Sequence, residues 1–160
     1  MSKPHNSPSK PGDLPNAIRE RLFGVWRLVS TQQRMADGTC RPSRKFGPNG
    51  VGFLFYSHPN RMCAVLVDPR RAPWKSEDDP TPEELRTTFD HFNAYSGTFE
   101  IDPQESSVAH YIEIGIVPNE TGESAKRYFK FVDEQLILRV APPLPDGMLE
   151  YMLTWSRVTS

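Results

Sequence analysis

The chain has 160 residues, with 19 Lys and Arg against 20 Asp and Glu and a formal net charge of −1. That length fits one domain, and basic residues dispersed among acidic and apolar neighbours form no stripe for nucleic acid or a charged membrane surface. The apolar runs stop after a handful of residues, far short of the roughly 20 that a membrane-spanning helix needs.

Met1 to Asn16 is rich in Pro, Ser, Lys and Asn and has no apolar core. It reads as a disordered leader and not as a secretory signal, with residues 17–160 as the folded domain. A cytoplasmic location follows as the expectation, with Cys40 and Cys63 as free thiols. No His/Cys spacing suits a metal, and no phosphate loop, nucleophile elbow or zincin motif is present, so no cofactor is expected.

Leu14 to Phe23 reads as a short helix capped by Asn16, with Ile18, Leu22 and Phe23 on one face to plug a barrel end. Gly24 to Arg34 is the first strand, with Trp26, Leu28, Ser30 and Gln32 sharing a face, and Asp37-Gly38 marks a turn. Arg41 to Gly50 reads as an irregular loop. Gly52–Ser57 and Arg61–Val67 form a hairpin through His58-Pro59-Asn60. Pattern alone leaves two phases open in each of these strands. Either Phe53 and Phe55 or Leu54 and Tyr56 face inward, and either Met62, Ala64 and Leu66 or Cys63, Val65 and Val67.

Asp68 to Pro80, with three prolines and Trp74, is excluded from a central strand and is expected over the open mouth. Thr81 to Ala94 reads as a helix, with Thr81 as N-cap, Pro82 in the first turn, Glu83 and Glu84 at the positive end of the dipole, and Leu85, Phe89 and Phe92 as a partial apolar face. The remaining strands alternate with period two. Tyr95, Gly97, Phe99 and Ile101 share one face, then Val108, His110, Ile112, Ile114 and Ile116. Arg127, Phe129 and Phe131 follow, then Leu136, Leu138 and Val140, and finally Leu149, Tyr151, Leu153, Trp155 and Arg157. The predicted fold is all-β: a closed antiparallel up-and-down barrel of about eight strands, with a short N-terminal helix and a second helix over one mouth.

Gly24-x-Trp26, Gly52-Phe53-Leu54-Phe55-Tyr56, Tyr95-Ser96-Gly97-Thr98-Phe99, Val108-Ala109-His110, Arg127-Tyr128-Phe129 and Trp155-x-Arg157 resemble the lipocalin-like domain of small microbial and fungal proteins. The resemblance runs from about Phe23 to Val158. It implies a barrel with a ligand in its lumen, and a tryptophan (Trp26) packed at the closed end against an arginine of the last strand (Arg157).

His110 and Arg127 carry the functional expectation, because each shares a strand face with apolar neighbours. If those faces point inward, two polar side chains sit in an apolar lumen, where a guanidinium binds a carboxylate, enolate or phenolate and an imidazole moves a proton. Tyr95, with Tyr151 as an alternative, would orient the ligand. Tyr56, Phe53, Phe55, Met62, Phe99, Ile112, Phe129, Leu138, Tyr151 and Trp74 are the expected ligand-contacting residues. The expected function is binding of a small, mostly apolar organic molecule with cofactor-independent isomerisation, cyclisation or elimination of a natural-product-type intermediate. The alternative is a non-catalytic carrier. A homodimer is among the expected assemblies, because small barrels commonly dimerise.

Overall fold

The computed structural model describes residues 13–145 and 147–159, with side chains from residue 16 onward. The expected leader lies outside the described residues up to position 12, while residues 13–16 already belong to the first helix, α1 (Asp13–Leu22). Asn16 therefore sits within α1 and not at its cap. Leu22 is fully buried, and Ile18 and Phe23 pack against the core.

Nine strands follow: β1 (Gly24–Met35), β2 (Cys40–Arg41), β3 (Val51–Ser57), β4 (Arg61–Val67), β5 (Phe92–Asp102), β6 (Ser107–Gly115), β7 (Ser124–Val132), β8 (Gln135–Val140) and β9 (Met148–Arg157). All neighbours are antiparallel, and β1 pairs with both β3 and β9. Eight strands thus close into a barrel, which leaves no long sheet edge open. The short β2, which reaches the expected irregular stretch only at Arg41, is an addition that pairs with the end of β1.

The closed end is built from both termini of the barrel. The Arg157 guanidinium lies 4.2 Å from the Trp26 ring centroid and donates to the Phe23 and Arg21 carbonyls. Trp26 in turn donates its indole N–H to the Leu22 carbonyl at 2.8 Å, which ties α1 beneath the barrel.

Three bulges re-aim side chains that strict alternation had placed otherwise. Between Leu28 and Ser30 the register with β9 shifts, so Thr31 and Gln33 turn inward in place of Ser30 and Gln32. In β6, Gly97 and Ser96 pair with Ile112 and Ile114, which leaves Glu113 extra and turns Ile114 outward at 70 % exposure. Gly97 is the residue this bulge requires, because an added Cβ would stand 1.8 Å from the Tyr111 carbonyl oxygen. The third shift, between Arg34 and Met35, leaves Leu149 exposed.

The second helix, α2 (Pro82–Asp90), starts as expected. Thr81 accepts from the Glu84 N–H, and Glu84 accepts from the Thr81 N–H in a reciprocal capping box. It stops earlier than expected, because Phe92, Asn93 and Ala94 pair with Val67, Leu66 and Val65 of β4. Strand pairing wins there over helical propensity. Leu85 and Phe89 are largely exposed, so the expected apolar face of α2 is not a core face.

Candidate functional site

Inside the barrel the phase of the hairpin is resolved. Leu54 and Tyr56 of β3 and Met62, Ala64 and Leu66 of β4 are buried. Phe53 and Phe55 are on the outer wall, where they approach each other at 6.3 Å between centroids, and the Arg27 guanidinium lies over Phe53. The expectation that these two phenylalanines line the lumen is corrected. Gly52, Leu54 and Tyr56 occupy the inner positions instead.

His110 is buried to 1 % exposure on the inner face of β6. Its Nε2 lies 2.7 Å from the Tyr56 hydroxyl and its Nδ1 lies 3.0 Å from the Tyr95 hydroxyl. Three strands therefore converge on one imidazole. Burial first, and the Arg127 charge second, hold its pKa down at about 3, so the ring is neutral at neutral pH. A neutral imidazole donates from one nitrogen and accepts at the other. Tyr56 is sealed against the Phe99 ring, 4.8 Å away. If Tyr56 accepted from the ring, its own hydroxyl hydrogen would be buried without a partner, which folded proteins avoid. The assignment that leaves no hydrogen of the fully buried Tyr56 without a partner has Tyr56 donating to Nε2 and Nδ1–H donating to Tyr95. The Tyr95 hydroxyl hydrogen is then left to point elsewhere.

Arg127, half-buried on β7, donates to the Lys126 carbonyl at 2.9 Å and forms no ion pair among the described residues. Its register partners are Val108 and Val140. The charge acts on Tyr56, Tyr95, His110 and Tyr151 alike, which places it at the centre of the polar groups. Desolvation nevertheless dominates for the tyrosines and raises all three above the ordinary phenol range, so they are hydroxyls and not phenolates. The arrangement can donate hydrogen bonds to a ligand oxygen, while the Glu120 carboxylate also acts on Tyr95 and adds to the rise of its pKa.

Met62, Phe99, Ile112, Phe129 and Leu138 are all buried among these groups or next to them, and Tyr151 packs against the same core. Trp74 is placed differently. Its indole N–H donates to Thr88 of α2 at 2.9 Å, in a groove of about 640 Å³ shared with Val67, Pro69 and Pro73. It braces the irregular segment against α2.

Three residues at the mouth escaped the sequence reading. Phe46, from the loop after β2, is buried in the core cluster, with its Cβ close to Gly50. Ser43 donates its backbone N–H to Thr31 Oγ1 at 3.0 Å. Gln33 is buried only because of the bulge before it. Aromatic content in a Pro/Gly loop was the one available signal, for Phe46. The loop is fastened by His91, whose Nδ1 donates to the Lys45 carbonyl at 2.9 Å. Cys40 and Cys63 are both free thiols. No cluster of potential metal ligands occurs among the described residues, and no described helix is long and apolar enough to cross a membrane.

A closed eight-stranded meander, plugged by a helix at one end and with a few polar groups on its inner face, defines the class of small up-and-down barrels. Within it, the chain belongs to the lipocalin-like domain family, whose model matches residues 23–158. Among solved structures it is similar to a lipocalin-like protein from Bacteroides uniformis, at 11% identity and a TM-score of 0.43, covering 86% of this chain and 99% of that one. An uncharacterized protein from Bacteroides eggerthii gives 9% identity, a TM-score of 0.43 and the same coverage. A mutant of the fluorescent protein UnaG gives 13% identity and a TM-score of 0.42 over 88% of this chain and 99% of that one. No curated protein matches the chain.

Proposed function

We propose that the protein binds a small, mostly apolar organic molecule in its barrel and presents a carbonyl or anionic oxygen of that molecule to Arg127 and Tyr95. The observation that carries this reading is a guanidinium with no ion pair among the described residues whose charge acts on Tyr95, the tyrosine whose hydroxyl hydrogen the tautomer assigned above leaves free. Two donors converging on one oxygen in an apolar wall favour an oxyanion more strongly than they would in water.

The chemistry this supports is cofactor-independent isomerisation through an enolate or enol. Tyr95 and Arg127 polarise a carbonyl, an α-proton becomes acidic and leaves to water at the mouth, and reprotonation at another carbon completes the isomerisation. Cyclisation or elimination would start from the same enolate. His110 is then a positioning residue: it fixes the Tyr95 hydroxyl, with Tyr56 fixing the imidazole behind it.

The test is deuterium exchange at the α-carbon of β-tetralone in D2O, followed by NMR. The wild type accelerates exchange, and Tyr95→Phe and Arg127→Met each reduce that acceleration by roughly ten-fold or more. Binding of the ketone without accelerated exchange would overturn the catalytic part.

The second reading is a carrier that binds such a molecule unchanged. It is favoured by the two ring nitrogens of His110 being already engaged, so that no free base faces the lumen.

A further inference from the structure

The outer wall of the barrel is not uniform. On β7, β8 and β9 its outward positions include Lys126, Lys130, Arg139 and Glu150. On β3, β4 and β5 the strand registers stack outward residues into apolar cross-strand rows. Phe55, Cys63 and Ser96 form one row, and Phe53, Val65 and Ala94 form the next. Val51 and Val67 continue the wall toward the mouth. Val25 of β1 and the exposed Ile114 of β6 flank the first row on its two sides. Phe55 is 39 % exposed. The one hydroxyl in these rows, that of Ser96, is already donated to the Met62 carbonyl at 2.9 Å. Charges stand only at the border. The Arg27 guanidinium lies over Phe53, and Arg61 is held by both carboxylate oxygens of Glu113 at 2.8 and 2.7 Å.

A contiguous apolar patch bordered by charge marks an interaction surface. We infer that this face joins two copies of the chain about a twofold axis that runs along β4, between the two facing walls. The side-chain sizes carry the assignment. β4 is the middle strand of five in the order β1-β3-β4-β5-β6. On its β3 side the rows present the rings of Phe53 and Phe55, and on its β5 side the small Ala94 and Ser96. A twofold parallel to β4 lays β3 of one copy over β5 of the other, so Phe55 meets Ser96 and Phe53 meets Ala94 across the interface. Sheets pack in this aligned manner about 10 Å apart, with large and small side chains interdigitating. A twofold running across the strands would instead set the phenylalanine side of one copy on the phenylalanine side of the other.

Charge and area both fit a second copy as the occupant. In a twofold contact a patch meets itself, so a net charge inside it would meet its own repeat. The rows carry none, and the border charge of Arg61 is neutralised within its own chain by Glu113. The same axis sets the Arg27 edge of β1 over β6 of the other copy, which keeps the two Arg27 side chains apart. Five strands about 4.8 Å apart, with three rows about 6.7 Å apart, give an apolar face on the order of 400 Å². The smallest stable interfaces bury about 600 Å² per partner, and a homodimer interface is about two-thirds apolar, which again comes to about 400 Å². A dimer at that end of the range is reversible and dissociates at micromolar concentration. The face lies outside the barrel, so the inference is independent of what the lumen binds.

The test is sedimentation velocity of the full chain from micromolar to millimolar concentration. The wild type passes from monomer to dimer over that range. Phe55→Glu and Ser96→Lys each weaken the dimer by about ten-fold or more, because an unpaired charge then enters an apolar interface. Leu149→Glu, a change at an exposed leucine of β9 outside this face, leaves the dissociation constant within about two-fold of the wild type. An equimolar mixture of Phe55→Glu and Ser96→Lys recovers the dimer, because the two introduced charges meet across the axis. Matched Tm values show which variants are folded. Should Ser96→Lys fail to fold, the comparison of Phe55→Glu with Leu149→Glu decides the matter alone. A wild type that stays monomeric throughout, a dimer that survives Phe55→Glu, or an equal loss in Leu149→Glu would overturn the interface. A mixture of folded variants that stays monomeric would overturn the axis along β4.

Discussion

The hydroxyl of Tyr56 lies 2.7 Å from Nε2 of His110, with both residues at 1 % exposure, so this bond is made with no water to replace it. Tyr56→Phe removes the hydroxyl and strands a buried ring nitrogen. The variant is expected to lose about 1–3 kcal/mol of stability. Urea denaturation checks it, and a loss of only a few tenths would place the hydroxyl outside the hydrogen-bonded core.

The neutral imidazole sets a pH dependence. In the unfolded chain His110 titrates near the ordinary imidazole value of 6.5, and in the folded barrel at about 3. Between those values the unfolded state binds the extra proton, so stability falls as pH drops through this window. Above pH 6.5 the penalty is absent. The slope approaches about 1.4 kcal/mol per pH unit for one group. Urea denaturation at a series of pH values should show this slope in the wild type and its absence in His110→Gln. Parallel curves for the two proteins would contradict it.

Arg157 joins the last strand to the helix and the first strand. Arg157→Leu removes the ring contact and two carbonyl acceptors lose their donor, for an expected loss of about 2–4 kcal/mol. Arg157→Lys recovers only part of this, since an ammonium cannot lie flat on Trp26 while donating twice. Gly24→Ala should resemble the Leu variant, because Gly24 has φ +127° and an added Cβ would stand 2.7 Å from an Arg157 guanidinium nitrogen. Thermal denaturation of the three variants orders them.

The capping box of α2 is local. Thr81→Ala costs about 1 kcal/mol of helix stability, but α2 buries no residue in the core. Amide exchange should accelerate across residues 82–90 while the global unfolding midpoint barely moves. A large drop in the global midpoint would mean that the helix is part of the cooperative barrel.

Much of this barrel was legible because period-two alternation is a direct image of an inside and an outside. Trp26, His110, Phe99, Phe129, Leu138 and Trp155 follow it without interruption. The pattern failed where the backbone adds a residue. Nothing in Leu28-Val29-Ser30-Thr31 announces the bulge that brings in Gln33 and turns out Gln32. In β6 the run of isoleucines continued past the bulge and concealed the outward Ile114. Phe53 and Phe55 misled because β3 carries apolar residues on both faces, with Phe53 under Arg27 and Phe55 exposed on the outer one. The engagement of both His110 nitrogens was not legible at all. It depends on Tyr56 and Tyr95 arriving from two other strands in the right register.

The measurement that bears most directly on the account is a calorimetric titration of β-naphthoate, an apolar anion, into the wild type and into Arg127→Met, with matched Tm values as the folding control. The account predicts saturable one-to-one binding to the wild type and a loss of about ten-fold or more in the variant, the worth of one charge-assisted hydrogen bond. Equal affinity in the two proteins, or no binding to the wild type, would contradict it.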